Sequence, residues 1–183
     1  MQSTFSKQSW IVFGALLCGA GLLPAQTGDT LSAEVKFTYS TIKNNLLRLA
    51  EKMPAENYSY RPTPDVETFA RRLAHIADAN MSVCTGLEGE RKPLGAASKT
   101  AKAELVTALK ESFAACDRVF DALTEVTARE MVSSRLGGPF PPEPTRSRLA
   151  TLYNLVRHSN EMYGYMAVYL RLKGIVPPTS APE

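Results

Sequence analysis

The chain has 183 residues, 44% of them hydrophobic and 21% charged. That length and balance suit one domain with a real core and exclude a disordered chain. The formal net charge is only +3, and the basic residues (Arg61, Arg71, Arg72, Arg91, Lys92, Arg146, Arg148) are scattered among acids. No positive stripe of the kind that displaces counterions from phosphates is present, so nucleic acid is not an expected partner.

In chain order, the first element reads as an export signal. Lys7 supplies a basic start, residues 10–23 (WIVFGALLCGAGLL) form an uncharged apolar run, and Pro24-Ala25 breaks it. The run falls short of the roughly 20 residues that a spanning helix needs and has the length and flanks of a signal peptide. Residues 1–25 are therefore expected to be removed near Ala25, leaving 20 basic against 18 acidic residues. The product would be periplasmic or extracellular, with no stable membrane insertion. Cys18 lies inside the apolar run behind Leu17, which does not fit a lipid anchor.

Four segments then carry helical periodicity. In the first, at about 29–53, Leu31, Val35, Tyr39, Ile42, Leu46, Leu49 and Met53 recur at three- and four-residue steps, the stripe of an amphipathic helix. Pro54 ends it. Residues 55–65 read as an extended segment, because a proline disfavours helix in the residue before it; Tyr58 and Tyr60 are expected to tuck it against the bundle. A second helix is expected over 66–87 with Thr63 or Asp65 as cap, burying Phe69, Leu73, Ile76, Asn80 and Val83. Residues 88–100 form a polar loop.

The third helix is expected over 101–126, with Leu105, Leu109, Phe113, Cys116, Phe120 and Leu123 as its stripe. Residues 133–144 (SSRLGGPFPPEP) read as a connecting loop. The fourth helix is expected over 145–173, opened by Thr145 and closed by Gly174, with Leu149, Leu152, Val156, Tyr163, Met166 and Leu170 along one side. These elements predict an all-α four-helix bundle with antiparallel packing and no sheet over residues 29–178, followed by a loose tail at 179–183. The two longer connections permit crossovers.

Two cysteines, Cys84 and Cys116, remain after removal of the signal, at a spacing that fits no zinc knuckle or redox pair. Export makes a disulfide chemically feasible. Turn counting, however, puts Cys84 near the end of its helix and Cys116 midway along the next. Antiparallel packing would hold them beyond the roughly 7 Å Cα separation that a disulfide tolerates. They are expected to be unlinked, buried small hydrophobes.

The signal-free chain contains two histidines, His75 and His158, both mid-helix. His75 lies at the margin of its helix's apolar stripe. His158 and Met162 are four apart and share a helix face, so both can aim at one atom. A thioether is a soft ligand that suits copper(I) better than zinc or nickel. Glu161 is adjacent but points about 100° away around the helix. No Ser-His-Asp arrangement, phosphate loop or carboxylate pair stands out, and Asp78 and Glu161 read as solvated or supporting groups.

The run FARRLAHIADA at 69–79 resembles the second-helix motif of the DinB-like superfamily (DinB/YfiT-like metalloenzymes), as do YSYRPTP at 58–64 and the closing LRLKGIVPP at 170–178. The resemblance spans residues 31–178. It implies a four-helix bundle in which one histidine of the second helix and two of the fourth bind a divalent metal; known relatives include thiol-dependent transferases and a maleylpyruvate isomerase. His75 and His158 match two of those ligands. Met162 stands where the third histidine belongs, and Tyr163, Gly164 and Tyr165 follow it, so a glutamine of the pattern is replaced as well. The resemblance thus implies a degenerate metal site of His75, His158 and Met162, with zinc or nickel held weakly. Two functions remain open. One is a metal-dependent, transferase-like enzyme; the other is a non-catalytic exported domain that binds a small molecule or another protein. A homodimer is compatible with both.

Overall fold

The computed structural model describes residues 30–133 and 145–181. The expected signal peptide, residues 134–144 of the proline-rich loop, and tail residues 182–183 lie outside the described residues. Among the described residues four helices carry the fold: α1 (Thr30–Lys52), α2 (Phe69–Leu87), α3 (Lys102–Asp121) and α4 (Arg148–Leu172). Among the described residues no helix is long and apolar enough to cross a membrane.

The apolar stripes form one core. Ile42, Leu46 and Leu49 of α1, Phe69, Leu73 and Ile76 of α2, Leu105, Leu109 and Phe113 of α3, and Leu152 and Met166 of α4 are all buried. The α1 stripe begins later than its sequence suggests, since Leu31 is exposed and Tyr39 is the first large side chain inside. The Tyr39 ring stacks on Phe120 at 3.7 Å, and its hydroxyl donates to Asp117 Oδ1 at 2.8 Å. Lys43 completes the group by pairing with Asp117 Oδ2 at 2.6 Å.

Tyr58 and Tyr60 do anchor the connection to α2. Tyr58 is buried, donates its hydroxyl to Ala50 O and packs edge-on to Phe69. The carbonyls of Tyr58 and Tyr60 accept from the N–H groups of Ala70 and Phe69, two donors that have no partner within the helix. The cap is Thr68, whose side chain accepts from Arg71 N, so α2 starts three residues later than expected.

Helix directions differ from the antiparallel expectation. The segment after α2 runs back along it: Lys92 N donates to Thr85 Oγ1, Ala96 N and Ala97 N donate to the two Asp78 oxygens, and Arg71 donates to Ala97 O. α3 therefore starts beside the start of α2 and runs parallel to it. Its first residue, Lys102, donates to the carbonyls of Glu51 and Met53 at the end of α1, and Lys110 pairs with Glu51. α1 is thus antiparallel to α3. α4 is antiparallel to α2, with Arg148 donating to Leu87 O at one end and Tyr169 donating to Glu67 O at the other.

That crossover overturns the cysteine expectation. Parallel packing brings Cys84 and Cys116 together with a Cα separation of 5.0 Å, and they form a disulfide. It closes a 32-residue separation between α2 and α3, the helix pair with the most extensive contact.

A small sheet was not expected. Residues Met131–Ser133 (β1) pair antiparallel with Thr145–Ser147 (β2), Val132 opposite Arg146. Three-residue strands are too short to show periodicity in a sequence. Ser147, not Thr145, caps α4, accepting from Ala150 N, and α3 ends at Asp121 rather than 126. There Thr124 and Thr127 each accept the other's backbone N–H, which turns the chain out of the helix. At the C-terminus of α4, Gly174 adopts φ 72°. Ile175 N and Gly174 N donate to Leu170 O and Arg171 O, the Schellman arrangement that a left-handed glycine allows. The chain continues as a short turn, Pro178–Ser180, in which Thr179 N donates to Tyr163 Oη.

Candidate functional site

The groove between α2 and α4 holds both histidines. Residues three and four apart share a helix face, so Arg72 and His75 of α2 face the α4 series His158, Met162, Tyr165 and Tyr169. His75 Nε2 lies 3.0 Å from His158 Nε2, with the rings edge-on at 5.0 Å between centroids. A hydrogen bond at that distance needs one ring protonated at Nε2 and the other bare there. The same separation also matches two imidazoles on one metal at 2.0–2.1 Å, subtending about 91–97°. His158 is the more buried of the two rings. Burial, then the neighbouring His75, pushes its pKa below the ordinary histidine value, while Glu161 opposes the shift. That direction favours the neutral imidazole, whose lone pair can accept a proton or bind a cation.

The third position differs. Met162 is buried, and the Arg72 guanidinium stands beside it, Nη1 to Sδ 4.0 Å. Arg72 Nε donates to Tyr169 Oη at 2.9 Å, and that hydroxyl donates to Glu67 O. The guanidinium also lies 4.9 Å from the centre of the Tyr165 ring and 5.9 Å from that of Tyr169, favourable cation–π positions. Among the described residues Arg72 has no carboxylate partner. Glu161 instead accepts from Tyr165 Oη and faces Arg157 at 3.7 Å. Asp78 is also outside the groove chemistry, because both its oxygens cap the crossover segment.

These contacts decide how well the residues fit a divalent metal. The two imidazoles fit. The thioether is a poor donor to zinc or nickel, and an ion beside it would meet a fixed positive charge. Two unit charges about 4 Å apart repel by about 4 kcal/mol at an effective dielectric constant of 20. Among the described residues no group of three or more His, Cys, Asp or Glu side chains is placed to hold a metal. The set present does not make a tight zinc or nickel centre. An open cavity of about 610 Å³ at the end of α1 and start of α3 is lined by Glu51, Lys102, Val106, Thr107 and Lys110. It receives no residue of α2 or α4.

Arg72, Tyr165 and Tyr169 were not singled out in the sequence as a group. Their signal was there in the spacing: Arg72 precedes His75 by three, and Tyr165 and Tyr169 follow Met162 by three and seven.

The four-helix bundle, with its two histidines apposed between the second and fourth helices, fits one class of protein. Residues 38–166 match the DinB superfamily, and the chain belongs to that family. Among solved structures, a DinB-like protein from Bacillus cereus superposes with a TM-score of 0.64 at 17% identity, covering 80% of this chain and 95% of its own. A conserved protein from Enterococcus faecalis superposes at 0.61 and 14% identity, covering 77% and 95%. At such identities the likeness is one of fold. Among curated proteins no sequence match was found.

Proposed function

We propose that this protein is an exported DinB-like domain whose α2–α4 groove is a degenerate metal pocket. In this reading His75 and His158 hold zinc or nickel weakly and no strong third ligand completes the site. The observation that carries the reading is the Arg72 guanidinium 4.0 Å from Met162 Sδ. A soft neutral donor and a fixed cation together disfavour the ion where a third imidazole would hold it. The apposed Nε2 atoms support a residual two-ligand clamp. Export is supported by the basic, apolar and Pro-Ala order of residues 7–25. The buried Cys84–Cys116 link also suits an oxidising compartment.

The unpaired charge of Arg72 favours the second function, a domain that binds a ligand without metal-dependent catalysis. The metal reading is tested by titrating the wild type and Met162→His with zinc and nickel. One strong ligand contributes several of the roughly 10–16 kcal/mol of a closed structural zinc site. Met162→His should therefore bind at least 100-fold more tightly, and adding Arg72→Gln should raise affinity further. A wild type that binds zinc as tightly as Met162→His would refute the degenerate site. N-terminal sequencing of the protein from its host tests export, with a start near Gln26 expected.

A further inference from the structure

We infer that the α2–α4 groove is an anion site in which the Arg72 guanidinium, with the histidine pair beside it, receives the carboxylate or phosphate group of a small ligand. The inference goes beyond the weak-metal reading and does not require it. It starts from an inventory of donors. A guanidinium carries five N–H groups and no acceptor. In Arg72 only Nε has an oxygen acceptor, Tyr169 Oη, while Nη1 has the weak sulfur of Met162.

The cation is nevertheless held in place. Tyr169 is itself fixed by donating to Glu67 O, and the rings of Tyr165 and Tyr169 flank the guanidinium. A rigidly placed guanidinium keeps its donors in the planar fork that matches a carboxylate or phosphate edge. The end bearing Nη1 and Nη2 has no oxygen partner among the described residues. Arg118 and Arg148, by contrast, are placed against acids, Glu88 and Glu130. Arg72 thus combines fixed geometry with an unmet demand for negative charge.

The histidines add a further N–H donor on the same two helix faces. Arg72 and His75 are three apart on α2 and His158 and Met162 four apart on α4, so the imidazole pair lies one helical turn from the Met162 contact of the guanidinium. Of the two rings in contact through Nε2, one must supply the proton between them, and an entering oxyanion can accept that N–H instead. Where a bound metal would have supplied positive charge to attract an oxyanion, this chain has a permanent cation from its own second helix.

The test uses ¹⁵N-labelled protein freed of metal on a chelating resin. It is titrated at constant ionic strength with sodium acetate and, separately, with inorganic phosphate, against sodium chloride. The Nε–Hε signal of Arg72 should shift saturably with at least one oxyanion and not with chloride. Stronger response to acetate assigns a carboxylate ligand, and stronger response to phosphate assigns a phosphoryl one. Arg72→Gln should weaken binding 10-fold or more. Arg72→Lys should bind measurably better than Arg72→Gln. Arg71→Gln, which alters the neighbouring arginine that donates to Ala97 O, should bind as the wild type does. If Arg72→Gln fails to fold, the wild-type Arg72 signal and the lysine variant decide. Absence of saturable change with both anions, or undiminished binding by folded Arg72→Gln, overturns the inference. Binding that appears only after zinc or nickel is added also overturns it, since the anion would then be a ligand of the metal, and the weak-metal reading would stand alone.

Discussion

Protonating His158 in the folded protein means charging a ring that is partly removed from water and already touches a second imidazole. Both effects hold its pKa below the ordinary histidine value. The unfolded chain therefore binds more protons at this residue just below that value, and stability rises with pH wherever the unfolded state binds more protons. For the metal-free protein this contribution vanishes above about pH 6.5 and becomes a loss as the pH falls from there toward the lower folded pKa. Urea denaturation at pH 7 and pH 5 should show this loss. His158→Gln should flatten the slope, and an unchanged slope would mean that other groups dominate acid sensitivity. The positions of both histidines were legible through the family resemblance. Arg72 had only its spacing from His75 to mark it, because a basic residue in a helix reads as solvent-facing until the rings that flank it come from another helix.

At the level of elements, apolar periodicity located all four helices, since burial of one stripe is what stabilises them. Their ends were less legible. α2 is capped by Thr68 and α4 by Ser147 because specific oxygens there accept orphan N–H groups, and several nearby residues offered similar chemistry. Least visible was Asp78, whose carboxylate crosses to another segment and accepts from both Ala96 N and Ala97 N at 2.9 Å. Those bonds pin the crossover to α2 and so set where α3 begins. Charge-assisted bonds of this type contribute about 1.5–3 kcal/mol each, less where water reaches them. Asp78→Ala should therefore lower unfolding stability by about 2 kcal/mol without altering the metal or anion affinity of the groove. Chemical denaturation gives the first quantity and titration of the same variant the second. A loss below about 0.5 kcal/mol would show that the crossover holds its course without Asp78.

For the whole molecule, the direction of α3 is the feature that separates sequence reading from structure. Each stripe specifies a buried face and says nothing about whether neighbouring helices run parallel. That is why Cys84 and Cys116, which antiparallel packing would part, lie with their Cα atoms 5.0 Å apart. The bond ties α2, which carries Arg72 and His75, to α3 on the side away from the groove. Its stabilisation comes largely from denying the unfolded chain its freedom, and for a closed loop of 32 residues the chain-entropy relation gives about 4 kcal/mol. Reducing the wild type under mild denaturant should lower its unfolding free energy by about that amount. Cys84→Ala/Cys116→Ala should match the reduced protein to within the small cost of the two deleted sulfur atoms. Because the bond acts through the unfolded state, the reduced protein should keep its helical circular dichroism in the absence of denaturant. Peptide mapping without reduction should recover the segments bearing Cys84 and Cys116 joined. If they are separate, and reduction leaves the denaturation midpoint where it was, the two cysteines are only packing neighbours and the parallel α2–α3 pair is held by its apolar contacts alone.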